Sequence, residues 1–279
     1  MSQAKSDPRQ DMLPCRLAGM EALAGAEQLA LFTVEPASGE PIPPFQAGQY
    51  TTVAFEQGSD VAMRYYSIAS GPEQAQSWQF FIRKPDKPGA TGELFDMEPG
   101  SPLWVGQAGG AFTLERSSLP HRVFVANGTG LAPFLSMSRH LRAQAEQGSV
   151  ASGKLTLLHG VCRPQDLACR SELEAIADNS KLDFLYLPCI SRPQEEDVDS
   201  SFSHGRVEEV LMHLLNLPGC GDSRPVKLAA NHSLDTLRQR MPAGETALFL
   251  CGATDMVKAV VAQVESSPWG DGLVYEKYW

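Results

Sequence analysis

His121 to Ala126 (HRVFVA) is a compact apolar run of strand length, and Asn127-Gly128-Thr129-Gly130 follows it directly. Leu131 to Leu141 then takes on helical character, with Pro133 in the first turn. Proline is accepted there because its missing N–H would have no intrahelical partner. A buried strand that feeds a helix through a glycine turn is the opening unit of a parallel α/β sheet, whose crossovers are right-handed. The glycines let the backbone bend tightly and approach a pyrophosphate, while free N–H groups and the helix dipole face the anion. Pro133 stands where a G-x-G-x-x-G motif would have its third glycine. On its own the segment therefore indicates a phosphate at the switch point of an α/β sheet, with a plain strand-to-helix turn as the alternative.

The same grammar continues downstream. Strand-like runs recur at Lys154 to Val161, Leu182 to Ile190 and Thr246 to Cys251, separated by helical stretches at about 166–177, 207–215 and 255–264. The stretches 192–204 and 217–241 are polar and rich in Pro, Gly, Asp and Ser, and read as loops or insertions. Upstream the pattern is different. Residues 20–116 read as short strands, among them Gln49 to Phe55, Met63 to Ala69, Trp78 to Arg83 and Pro102 to Gly106, divided by turn clusters such as Ser70-Gly71-Pro72 and Glu98-Pro99-Gly100. A short helix is expected from Thr91-Gly92 through Phe95. The chain of 279 residues is thus expected to form two domains, an antiparallel β-barrel over 1–118 and a parallel-sheet α/β domain over 119–279.

Charge and composition exclude several classes. With 23 basic against 33 acidic residues the net charge is −10, which disfavours nucleic acid as a partner. A phosphate ligand must then be met by local arginines. No apolar run is long enough to cross a membrane, and the polar amino terminus lacks a secretory h-region, so a cytoplasmic protein is expected. The six cysteines show neither a C-x2-C pair nor an iron–sulfur spacing, and the six histidines show no metal-ligand spacing, so no metal site is expected. Cys162 and Cys169 read as structural. There is no Gly-x-Ser-x-Gly elbow of a serine hydrolase.

Arg64-Tyr65-Tyr66-Ser67 forms the second informative segment. Side chains alternate along a strand, so Arg64 and Tyr66 share one face, Tyr65 and Ser67 the other. A planar aromatic beside a guanidinium suits a flat ring with a phosphate tail. An ordinary edge strand is the plain alternative.

Together the two segments resemble the ferredoxin–NADP(+) reductase family, bacterial type, whose flavin barrel carries R-x-Y-S and whose nucleotide domain opens with G-T-G-x-x-P. Phe45 to Tyr50 (FQAGQY), Gly89 to Leu94 (GATGEL), Gly106 to Leu114 (GQAGGAFTL), Leu250-Cys251-Gly252 and the terminal Tyr275 to Trp279 (YEKYW) match in the same order. The resemblance spans about residues 20 to 279 and implies FAD and NADP(H) as cofactors. It implies that Tyr66 stacks on the flavin ring and that Ser67 bonds near N5. Arg64 would hold the FAD pyrophosphate with Thr91 and Gly92, and Phe81, Ile82 and Arg83 would line the ribityl chain and ring edge. Tyr65 belongs to the same flavin-binding strand. Gly128, Thr129 and Gly130 would contact the NADP pyrophosphate. Cys251 and Glu276 would lie beside the nicotinamide, and Trp279 would cover the flavin face opposite Tyr66 as a movable lid.

Choice between NADP and NAD falls to the adenosine 2′-phosphate, which arginine accommodates. Arg163, Arg192 and Arg206 each follow a strand-like run and match positions similar in NADP-dependent relatives; solvated surface arginines are the plain alternative. The resemblance implies an enzyme that moves electrons between NADP(H) and ferredoxin or flavodoxin. A monomer is expected, and because such carriers are acidic, Arg83, Lys84 and Lys87 next to the flavin strand are the candidate docking patch. Two other readings stand beside it. One is an NAD(P)H-dependent reductase component serving an oxygenase or a flavin or ferric acceptor. The other is a non-catalytic nucleotide-binding regulatory subunit.

Overall fold

The computed structural model describes residues 7–23, 28–58, 60–87, 89–149, 153–193, 200–222 and 224–276. Trp279, expected as a movable lid, lies outside the described residues, as does 194–199 of the expected 192–204 loop.

Six strands make the first sheet: β1 (Leu13–Ala22), β2 (Leu29–Pro36), β3 (Tyr50–Gln57), β4 (Asp60–Ser67), β5 (Trp78–Arg83) and β6 (Pro102–Val105). Their order is β4-β3-β6-β1-β2-β5, with every pairing antiparallel. The two edge strands meet at an Ile68–Phe80 bridge, where the Ala69 N–H donates to the Gln79 carbonyl at 2.7 Å. That contact curls the sheet towards a barrel, whose interior holds Phe32, Phe55, Ile68, Phe80 and Leu103. The short helix α1 (Ala90–Leu94) plugs one end through buried Ala90 and Leu94, and Phe95 meets Phe32 edge-on at 5.1 Å.

The strand series begins at Leu13, ahead of the expected start near residue 20, and β2 adds to the four strands expected. In β1 only Cys15 and Leu17 are buried, so its alternation is too faint to read without its partners.

The second sheet is parallel and contains β7 (His121–Asn127), β8 (Leu155–Val161), β9 (Phe184–Ile190), β10 (Ser203–His204), β11 (Thr246–Cys251) and β12 (Leu273–Tyr275), in the order β10-β9-β8-β7-β11-β12. Its central strands are apolar on both faces because helices cover both. One face packs on α2 (Leu131–Glu146) and α3 (Arg170–Ala177), and the other on α4 (Val207–Leu215), α5 (Leu234–Arg238) and α6 (Thr254–Val264). The start expected for the third helix near 166 shifts to 170, because Pro164–Asp166 forms a 3-10 turn and Cys169 takes a left-handed φ of 56°. The segment 217–241, expected to be irregular, contains α5.

The two sheets share one core. Phe112, from the barrel side, packs edge-on against Phe134 and Phe249 at 5.7 and 5.6 Å, and Phe124 stacks on Phe134 at 4.8 Å. Around it, α2 docks on the loop that follows β4. The buried Ser136 hydroxyl donates to the Ser70 carbonyl at 2.7 Å. Arg139 donates to the Ala69 carbonyl at 2.9 Å and to Gln79 at 2.8 Å, while its other edge holds Glu172. His140 pairs with Glu73 beside them.

Candidate active site at the switch point

From β7 the chain steps outward to β8, β9 and β10, then crosses back to β11 and β12 on the other side. Strand order therefore reverses between β7 and β11, and beyond their carboxyl ends the chain continues to opposite faces of the sheet, into α2 on one and α6 on the other. The two connecting loops are Asn127 to Gly130 and Cys251 to Ala253. Their approach is too close for side chains. A Cβ on Gly130 would lie 2.2 Å from the Cys251 carbonyl oxygen, and one on Gly252, at φ +152°, would lie 2.0 Å from Asn127 Oδ1. Asn127 fastens the pair by accepting the Ala253 N–H at 2.7 Å. The result is a cradle of bare backbone with Gly128 at φ +55°, which fits a pyrophosphate.

Two cavities open from this point. The smaller, about 300 Å³, is lined by Tyr65, Tyr66, Ser67, Phe81, Ile82, Arg83 and Thr91 from the barrel side. Thr129, Gly130, Ala132, Cys251 and Gly252 close it from the parallel sheet. Tyr66 rests on the barrel core against Phe80, with its hydroxyl 3.4 Å from the Thr91 hydroxyl. Burial pushes that phenol above its ordinary pKa. Tyr65 is 72% exposed and meets Tyr50 edge-on at 5.8 Å. A half-buried ring over an apolar floor, with hydroxyls and a helix start at its rim, fits a flat isoalloxazine with a polar tail. Arg64 reaches back to the Met63 carbonyl at 2.8 Å and stands exposed at the edge of β4. Gly92 lies in α1, and its N–H is turned to the Gly89 carbonyl.

The larger cavity, about 830 Å³, runs from Asn127, Gly128, Thr129 and Gly252 across the ends of β8 and β9. Arg192, Arg206 and Arg224 line its far wall, together with Glu208. Three strand spacings separate that wall from the switch point, about 14 Å, which suits an extended dinucleotide. Phe81 and Arg83 line both cavities, so the two join at β5.

Several expectations change in detail. Arg163 does not line the cleft, although its neighbours Cys162 and Asp166 do; its own N–H donates to Asp166 Oδ2 at 3.0 Å, which turns the chain there. Glu276 lines neither cavity. Its carboxylate sits beside Gly110, where a Cβ would stand 3.4 Å from Oε1 and 2.9 Å from the Tyr50 ring. Cys162, expected to be structural, is exposed on the cleft wall, whereas Cys251 is 1% exposed.

Arg224 and His159 went unread in the sequence. Arg224 comes from the irregular 217–228 segment, which no local pattern marks as part of a site. His159 is 1% exposed on β8, lines the larger cavity and pairs through Nδ1 with the Tyr186 hydroxyl at 2.9 Å. Burial pushes its pKa down to about 4, so it is neutral near pH 7.

Residues 124–262 match the family described as oxidoreductase NAD-binding domain. The chain is 33% identical over 136 residues, 49% of its length, to "Ferredoxin--NADP reductase B" of Sorangium cellulosum, covering 54% of that protein. It is 26% identical over 235 residues, 84% of its length, to the anthranilate 1,2-dioxygenase electron transfer component of Acinetobacter baylyi, covering 57% of it. The chain thus spans a little over half the length of these relatives. In fold it matches a ferredoxin NADP+ reductase of Neisseria gonorrhoeae, solved with FAD and NADP bound, with a TM-score of 0.73 at 19% identity, over 96% of this chain and 99% of that one.

Proposed function

We propose that the chain belongs to the ferredoxin–NADP(+) reductase family and that it is an FAD-dependent reductase that takes hydride from NADPH and passes electrons to ferredoxin or flavodoxin. One observation carries the reading: the aromatic–hydroxyl strand Tyr65-Tyr66-Ser67 and the glycine cradle of the parallel sheet face each other across a single cavity. An aromatic floor opposite a pyrophosphate cradle is what a hydride transfer between two flat rings needs.

Bound FAD would supply the hydride-accepting ring and the step from two-electron to one-electron chemistry. The chain's residues do the rest. Tyr66 supports the ring from below, and Ser67 offers a hydroxyl at its edge. Arg64, Thr91 and the start of α1 receive the flavin phosphates. Gly128, Thr129 and Gly130 fix the pyrophosphate of the nicotinamide nucleotide, and Cys251 closes the wall next to the reacting rings and keeps water out. Arg192 and Arg206 receive the 2′-phosphate. Arg83 and Lys84, at the exposed end of β5, offer positive charge next to the flavin site for an acidic carrier.

The relative that serves a dioxygenase supports a second reading, in which the acceptor is an oxygenase component. Anaerobic mixing with NADPH and separately with NADH, followed through the flavin absorbance, tests the proposal. Fast bleaching by NADPH and slow bleaching by NADH is the expected result, and purified protein that stays colourless after FAD is added would refute it.

A further inference from the structure

The far wall of the larger cavity is less positive than its arginines suggest. Arg224 is held on both sides of its guanidinium: Nε lies 3.0 Å from each oxygen of Asp222, Nη2 2.5 Å from Oδ2, and Nη1 donates to the Ser191 carbonyl at 2.8 Å. Arg206 Nε lies 3.7 Å from the same Asp222 carboxylate, and Arg206 Nη1 lies 3.4 Å from Glu208. Asp222 is itself fixed. Its N–H donates to the carboxylate of Glu209 at 2.8 Å, and Glu209 also takes the Cys220 N–H at 3.1 Å. Glu209 is 7% exposed, so this loop is anchored on a buried acceptor rather than left to solvent. A His204–Lys227 bridge ties the far end of the loop to the edge strand β10. Asp222 does not line the cleft, whereas Arg206 and Arg224 do.

We propose that Arg224 is a further 2′-phosphate-binding residue and that Asp222, fixed behind it, is a specificity-determining counter-ion that weakens the preference for NADP(H) over NAD(H). The inference rests on the nucleotide reading above and names the part of the cleft that grades it. A carboxylate shared by two arginines positions their donors towards the cleft but cancels part of the charge a 2′-phosphate would meet. A ligand without that phosphate meets no such competition. Asp222 is thus a positioning residue with an electrostatic cost attached, and the cost falls on one class of ligand.

Calorimetric titration of the holoprotein with 2′,5′-ADP and with 5′-AMP at low salt tests this without turnover. In Asp222→Asn, which keeps the shape and one acceptor, 2′,5′-ADP should bind about fivefold tighter with 5′-AMP unchanged, and the gain should shrink as salt screens it. Asp222→Glu, which keeps the charge, should stay near the parent value. In Arg224→Met, 2′,5′-ADP should bind about tenfold weaker, again with 5′-AMP unchanged. A merely structural role for Asp222 would loosen both probes in Asp222→Asn and would overturn the inference, as would unchanged 2′,5′-ADP binding. If the parent protein fails to distinguish the two probes, the NADP reading falls and takes this inference with it. If the parent prefers 2′,5′-ADP but neither Asp222→Asn nor Arg224→Met moves that preference, only the inference falls.

Discussion

His159 shows how one side chain can couple the floor of the cleft to acidity. Its ring is buried and paired to Tyr186, and its pKa drops to about 4 from an ordinary 6.5 because burial disfavours the charged ring. In the unfolded chain it would take a proton at about pH 6.5. Between those values the unfolded state binds more protons, so stability is fully present above pH 6.5 and is lost as pH falls towards 4. From pH 7 to pH 5 this residue alone should remove about 2 kcal/mol. Urea unfolding of the parent and of His159→Gln at both pH values checks it: the variant should start lower and lose about 2 kcal/mol less on acidification. An equal loss in both would assign the acid sensitivity elsewhere. No sequence signal marks His159, because a lone histidine in an apolar run reads as core until the cleft beside it is known. The glycines of the cradle were legible from the G-T-G turn and the Leu250-Cys251-Gly252 match, whereas Arg224 and Asp222 were not. The placement of that pair depends on Glu209, a buried acceptor on another element.

Among the elements, α2 does two jobs with one length of helix. Its amino terminus opens the cradle, and its second and third turns grip the barrel through Ser136 and Arg139. Arg139 has a side chain 15% exposed and bonds to three groups from two parts of the fold. Replacing it with Met should cost roughly 2–3 kcal/mol, since Glu172 and the Ala69 carbonyl lose their charged donor. The same change should speed proteolysis near residues 117–120, where the chain passes between the sheets. Wild-type protease resistance in Arg139→Met would show that the aromatic core alone holds the two parts together. The four central parallel strands were legible because each is a largely apolar run, as in Val123 to Ala126 and Ala247 to Cys251. β10 spans only Ser203 and His204, and β1 buries two residues, so both exist through their neighbours rather than through a pattern of their own.

At the scale of the whole molecule, the barrel and the parallel sheet are joined through Phe112, Phe124, Phe134 and Phe249. A core that draws on both halves should make unfolding a single transition. Urea curves followed by the fluorescence of Trp78, Trp104 and Trp269 should then coincide with the far-ultraviolet signal, and Phe134→Ala should shift them together by about 3–5 kcal/mol. Separate transitions would show two independently folding units. The placement of the site within this frame has a consequence for descent. The reacting rings would meet at the sheet's centre, where Gly130 and Gly252 leave no room for change, while Arg206, Asp222 and Arg224 belong to the sheet's outer margin and its appended loop. Lineages could exchange that margin and so switch their nucleotide currency, while the chemistry at the centre passes on unaltered.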